Sequence, residues 1–138
     1  MRYEKKAVRT AVVAVVQNDA GHVLLTKRAI PPWQGRWVMP GGKIDLGEPI
    51  TVALKREVLE EVGLDVHIEG LVDIYEVVPG NDHRTHYVIL YYLASPRGGK
   101  VKPNESEIEE VVWADRETLM TLDITDGTRH ILSKVFTT

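Results

Sequence analysis

The 138-residue chain contains no cysteine. That excludes disulfides and a thiol nucleophile. It also lacks a strong excess of either charge: 17 Lys and Arg stand against 20 Asp and Glu, for a net charge of −3. Such a balance gives no general attraction for nucleic acid or for an anionic membrane surface. A polyanionic ligand must therefore be met locally, by metal and a few Arg or Lys. Long apolar runs are missing as well. Behind the basic residues Arg2, Lys5, Lys6 and Arg9, the run 11–16 is closed by Gln17-Asn18-Asp19. It is too short for a signal peptide or a membrane span, and it reads as a buried strand. A cytoplasmic protein with no membrane partner is expected. What remains is ordinary: 43% hydrophobic and 27% charged residues suit a single globular domain over 1–138.

Strand and helix patterns alternate along this domain. Residues 8–16 and 23–25 read as strands joined by the turn Asn18-Asp19-Ala20-Gly21, and together they predict a hairpin. A loop over 29–36 leads into a short strand at 37–39, which enters the Pro40-Gly41-Gly42 loop. The first helix is expected over 49–62, with Pro49 as its first residue. Residues 66–78 hold one or two strands broken near Gly70. A polar turn over 79–84 precedes a strong strand at 85–94. A loop over 95–106, a strand at 110–114, a helical turn near 116–122 and a closing helix at 126–136 complete the chain. In that helix Ile131, Leu132 and Val135 are the predicted core residues. This order predicts an α+β fold with a mixed sheet and helices on its two faces.

The most informative segment runs from Gly42 to Leu64. Glu48 follows Gly42 after five residues, and seven residues later comes Arg56-Glu57-Val58-Leu59-Glu60-Glu61-Val62-Gly63-Leu64. At about 100° per residue, Leu54, Val58 and Val62 form one apolar stripe that must face a core. Glu57, Glu60 and Glu61 fall on the adjoining stripe, at its margin. Their placement is electrostatically poor. Like charges one turn apart repel, and acids near a helix C-terminus oppose its dipole. A shared cation reverses that cost, and hard oxygen ligands beside phosphate favour Mg²⁺, with Mn²⁺ as a substitute. The Gly41-Gly42 pair lets backbone approach metal or phosphate closely. Gly63 reads as a left-handed helix terminator. Arg56 is placed to pair with Glu48 or a neighbouring glutamate.

This spacing resembles the signature box of the Nudix hydrolases, and every specified position is met. The resemblance implies an α/β/α sandwich. It also implies Mg²⁺-dependent hydrolysis of a nucleoside diphosphate derivative by water attack on one phosphorus of the pyrophosphate. Carried over by position, Glu57 and Glu61 become metal ligands. Glu60 becomes a third ligand or the general base, the Gly41 carbonyl a backbone ligand, and Arg56 the residue that orients the carboxylates. A further acid from a later segment is expected, with Glu110 the first choice and Glu107 the second. The family also leaves a homodimer open.

Substrate contacts are expected outside the box. Trp33, Arg36, His83, Arg84, His86 and Tyr87 are candidates for stacking on a base or meeting phosphate or ribose. Arg28 is a cation at the site's edge, and Gly41 and Gly42 line it. Pro79 lies fifteen residues after Leu64, close to a mark of ADP-ribose-cleaving relatives. The stretch from Leu24 to Ala29 resembles a coenzyme A-cleaving signature, but Trp33 stands where its second arginine belongs. The leading expectation is therefore a small nucleotide substrate of the ADP-ribose or NDP-sugar type. The alternative is a nucleoside triphosphate, oxidised or not, in the manner of MutT. A non-catalytic nucleotide sensor is disfavoured because all three box glutamates are present.

Overall fold

A computed structural model describes residues 8–80 and 85–136. In chain order its elements are β1 (Arg9–Val16), β2 (Val23–Arg28), β3 (Trp37–Val38), β4 (Gly41–Lys43), α1 (Ile50–Val62), β5 (Asp65–Val77), β6 (Tyr87–Gly98), β7 (Ile108–Ala114), α2 (Arg116–Leu119) and α3 (Asp126–Val135). The strands form a four-stranded sheet, in the order β4-β1-β6-β5, and a three-stranded sheet, β3-β2-β7. The larger sheet is mixed: β1 runs parallel to β6 and antiparallel to β4.

The central strand β1 explains the layering. Successive side chains on a strand point to opposite faces. Val12, Ala14 and Val16 join Leu54, Val58 and Val62 of α1 in one core. Val15, one residue out of phase, joins Ile131 and Leu132 of α3 in a second core. In β2, Leu24 turns to the α1 side, and Val23 and Leu25 turn to the α3 side. Strands covered on both faces carry continuous apolar runs, which accounts for the run 11–16. The fold is thus the expected α+β arrangement, with helices on both faces of the strands.

Local expectations fare unevenly. The turn after β1 forms, with the Asn18 side chain accepting from the N–H groups of Ala20 and His22 at 3.1 and 2.9 Å. The predicted hairpin does not. Between β1 and β2 only the bridge Gln17–Val23 is made, because β4 and β6 occupy the two edges of β1. The supposed Gly-Gly loop is the strand β4. Pro49 sits just before α1 as its N-cap. β5 is one continuous strand with register shifts on either side of Gly70. β6 continues to Gly98, and Val135 is half-buried rather than buried. Residues 81–84 of the predicted polar turn, with His83 and Arg84, lie outside the described residues, as do Arg2, Lys5 and Lys6. Among the described residues, no helix is long and apolar enough to cross a membrane.

The stripe Leu54, Val58 and Val62 is fully buried, and each side chain contributes roughly 1.5–3 kcal/mol before ordering costs. Gly63 ends the helix at φ 72°, its N–H donating to the Leu59 carbonyl. Two more carbonyls of the last turn are satisfied from far along the chain. The Lys102 N–H donates to Val62 O at 2.7 Å and the Asn104 N–H to Glu61 O at 2.8 Å. Helix termini need such partners for their last four carbonyls.

Candidate active site

The site lies where α1 meets β4. The backbone N–H of Gly41 donates to Glu61 Oε2 at 2.7 Å. The two glycines have separate tasks. A Cβ on Gly41 would stand 2.2 Å from the Val12 carbonyl oxygen and 2.7 Å from Val13 Cα. Only a bare backbone can lie against β1 there. A Cβ on Gly42 would meet the Glu57 carboxylate at 2.4–2.8 Å. That position is kept clear for a side chain of the helix.

Arg56 organises the acids. Its Nε and Nη2 donate to the two oxygens of Glu48 at 2.8 and 2.9 Å, a bidentate pair. Its Nη1 reaches Glu57 at 2.9 Å and Glu60 at 3.3 Å. Nη2 also donates to the Lys43 carbonyl at 3.2 Å and lies 3.5 Å from Asp45. The Arg56 hydrogen bond, helped by the Asp45 N–H, draws the Glu48 carboxyl down to about 2. The guanidinium's own pKa rises further, chiefly through Glu48. Arg56 therefore ties the segment before α1 and the β4 backbone to two of the three box glutamates.

The three glutamates are graded in burial. Glu61 is buried, with 8% of its surface exposed. Desolvation pushes its pKa up to about 8, against the pull of the Gly41 N–H and with the repulsion of Glu57 and Glu107. Glu57 is also raised, first by burial and against Arg56. Glu60 is the exposed member, at 57% of its side chain. Among the described residues no three acidic or imidazole groups stand closed at metal-binding distance. Arg56 draws Glu57 and Glu60 one way and the Gly41 N–H draws Glu61 another. The donor set nevertheless fits a divalent cation. A buried carboxylate with one N–H partner needs positive charge to ionise in place, and the available donors are hard oxygens.

A pH dependence follows with a definite sign. Unfolded, Glu61 titrates near 4.5; folded, near 8. Between those values the folded protein holds a proton that the unfolded chain has lost. Stability must therefore fall as pH rises through that window, by up to about 1.4 kcal/mol per pH unit. Thermal melts in chelator from pH 5 to 8 should show this slope in the native protein and a shallower one in Glu61→Gln. Equal slopes would remove Glu61 as its source.

One cleft adjoins this corner, and a second continues from it. The first, about 200 Å³, runs from Gly41 and Gly42 past Met39 to Arg28, Trp33 and Tyr87. The second, about 330 Å³, shares Trp33, Ile89 and Tyr91 with it and continues to Arg36 and Asp126. Arg28 is held at the lip by donating to the Pro32 and Pro31 carbonyls at 2.5 and 3.4 Å. Trp33, at φ 61°, packs against Tyr87 with ring centroids 6.0 Å apart. Arg36 is anchored to Asp123 at 3.3 Å and to the Ile124 carbonyl at 2.7 Å.

Two expected residues are placed elsewhere. His86 is paired with Glu76 at 2.6 Å and lines neither cleft. Glu110 stands opposite Lys27 on the β2–β7 ladder, with its carboxylate 3.6 Å from the ammonium. The later acid whose charge reaches Glu57 and Glu61 is Glu107, the second choice. Lys43, Met39, Tyr91 and Thr128 also line the first cleft and were not anticipated. For Tyr91 a signal existed: it lies two alternations beyond Tyr87, on the same face of β6.

Comparison with known proteins gives a consistent picture. The NUDIX domain family model matches residues 7–135. The chain is 34% identical over 120 residues to human 8-oxo-dGDP phosphatase NUDT18, covering 85% of this chain but only 35% of that protein. It is 29% identical over 122 residues to an ADP-ribose pyrophosphatase from Methanocaldococcus jannaschii, covering 78% of this chain and 71% of the relative. The crystal structure of a MutT NUDIX hydrolase from Burkholderia pseudomallei superimposes with a TM-score of 0.81. The two share 28% identity, over 94% of this chain and 99% of that one.

Proposed function

Since the chain belongs to the Nudix family, we propose that it is a Mg²⁺-dependent pyrophosphohydrolase that cleaves a nucleoside diphosphate derivative of the ADP-ribose or NDP-sugar type. The products are a nucleoside monophosphate and a phosphorylated moiety. The observation that carries this reading is the corner where Glu57 and Glu61 abut Gly42 and Gly41, beside a cleft that starts at those glycines and continues into a second. An acidic corner at one end of two clefts in series suits a pyrophosphate held at the corner with a nucleoside moiety extending away from it along the clefts. A cytoplasmic setting belongs to the same proposal.

Glu57, Glu61, the Gly41 carbonyl and Glu60 are the groups to hold Mg²⁺. When bound, the ion supplies charge neutralisation at the phosphate oxygens and makes water a better nucleophile. The chain's own contribution is positioning. Arg56 fixes Glu57 and Glu60. Arg28, at the cleft's lip, offers a cation to the phosphates, and Trp33 offers an aromatic face to a base. Glu60, the most exposed of the three, serves as a third ligand or takes the proton from water.

A second reading is hydrolysis of nucleoside di- or triphosphates, oxidised or not. It is favoured by the 34% identity to a protein named 8-oxo-dGDP phosphatase. Mass spectrometry of products separates the two. Protein incubated with ADP-ribose, NDP-sugars, dNTPs or 8-oxo-dGTP, with Mg²⁺ or with chelator, should yield a monophosphate plus a sugar phosphate only when metal is present. Removing metal should lower the rate by at least about 10³-fold. Pyrophosphate released from triphosphates would transfer the proposal to the second reading. Undiminished turnover in chelator would overturn both.

A further inference from the structure

Tyr91 has no task in the scheme above, yet it occupies the junction of the two clefts. It is only 5% exposed, and its hydroxyl has no hydrogen-bond partner among the described residues. Buried tyrosine hydroxyls ordinarily find one. The hydroxyl oxygen lies 3.0 Å from where a Cβ on Gly127 would sit, so it points at the first turn of α3. In that turn Thr125 accepts the N–H of Thr128 through its side chain and that of Arg129 through its carbonyl. The N–H groups of Asp126 and Gly127 take no protein acceptor among the described residues. Burial also pushes the Tyr91 phenol well above its ordinary pKa, so it stays a donor. The three residues that carry these N–H and O–H donors thus line one cleft, together with Trp33 and Ile89.

Glu76 and Asp126 line the second cleft, and the cation that lines it, Arg36, is already paired with Asp123, which disfavours a phosphate there. A planar, uncharged ring with acceptors on its edge fits. We infer that the Tyr91 hydroxyl, together with the first-turn N–H groups of α3, reads an acceptor on the substrate's nucleobase, a ring nitrogen or a carbonyl oxygen, and so sets which base is accepted. This inference rests on the nucleotide-hydrolase reading. Gly127 belongs to the same device, since any side chain there would fill the space into which the hydroxyl points.

The test compares native protein, Tyr91→Phe and Gly127→Ala on NDP-sugars that differ only in their base. Tyr91→Phe should raise KM for the preferred base about 10-fold, with a smaller change in kcat, and should compress the ranking among bases. Its melting temperature should hold or rise, because no protein partner is lost. Gly127→Ala should raise KM in the same direction. An unchanged KM and base ranking in Tyr91→Phe would overturn the inference and leave the hydrolase reading intact. A lowered melting temperature with a parallel fall in kcat would also overturn it, by revealing a structural role. Should the native protein cleave no nucleotide, the hydrolase reading falls. Equilibrium binding of AMP, GMP, CMP and UMP then decides: weaker binding of one of them by Tyr91→Phe supports base reading, and equal binding overturns it.

Discussion

Glu61→Gln should lower kcat by about 10³-fold while leaving the fold intact. The substitution keeps the side chain's volume, and its amide oxygen can still accept from the Gly41 N–H at 2.7 Å. What it removes is the capacity for negative charge on the most buried of the three glutamates. Burial makes that charge costly without a cation, so the position makes sense chiefly when a cation is supplied. Loss of one buried carboxylate should weaken metal affinity, shift the Mg²⁺ saturation curve upward and lower the maximal rate together. The melting temperature in chelator should not fall. Glu60→Gln is the informative companion, since Glu60 is exposed and paired with Arg56 at 3.3 Å. A pure ligand role predicts a loss of about 10–100-fold, and a general-base role adds the loss of a limb in the pH profile. Full activity in Glu61→Gln at ordinary Mg²⁺ would remove it from the metal site.

The second large effect separates two adjacent glycines. Gly41→Ala should destabilise the protein by more than about 4 kcal/mol, or prevent folding. Its Cβ would collide with the Val12 carbonyl and Val13 Cα, both backbone atoms of the central strand. Neither can withdraw without breaking the β1–β4 ladder, where Val13 faces Gly41 and Val12 faces Gly42. Gly42→Ala meets instead the carboxylate end of Glu57, which can swing aside at modest cost. Its expected loss of stability is about 1 kcal/mol, with activity down about 10²-fold through displacement of a ligand. Chemical denaturation alongside steady-state rates checks the contrast. Equal stability of the two variants would show that the division of labour assigned to this pair is mistaken.

Much of α1 was legible because its determinants are local. The stripe Leu54, Val58 and Val62, the glutamates beside it and the terminating Gly63 all follow from helical periodicity within a few turns. The pairing of Arg56 with Glu48 was likewise within reach of one segment. The run 11–16 announced a strand buried on both faces, though not the identity of its neighbours. The failed hairpin shows why. A turn signal at Asn18–Gly21 is a short-range preference, while β6 reaches β1 in parallel from more than seventy residues away. The placement of Glu110 and Glu107 was hidden for a similar reason. Adjacency to Val111 made Glu110 attractive, but register on β7 places it opposite Lys27. Glu107 is positioned by a loop whose path depends on the end of α1. Tyr91 escaped notice because a tyrosine in an apolar strand is usually packing: alternation put it on the face of Tyr87, and the missing hydrogen bond, visible only in the structure, sets it apart.

That loop has a wider consequence. Residues 99–107 look like the part of the chain most tolerant of change, mostly polar and charged and lying between two strands. Surface loops of this kind commonly absorb insertions and deletions. Here the N–H groups of Lys102 and Asn104 are bonded to the last turn of α1, and Glu61 contributes its carbonyl to that bond and its carboxyl to β4. One residue therefore joins three separate stretches of chain. A change in loop length would be felt as a shift in carboxylate spacing, with the box itself untouched. Divergence between relatives in this loop is thus a route by which evolution can retune rate or metal preference while every signature residue stays in place.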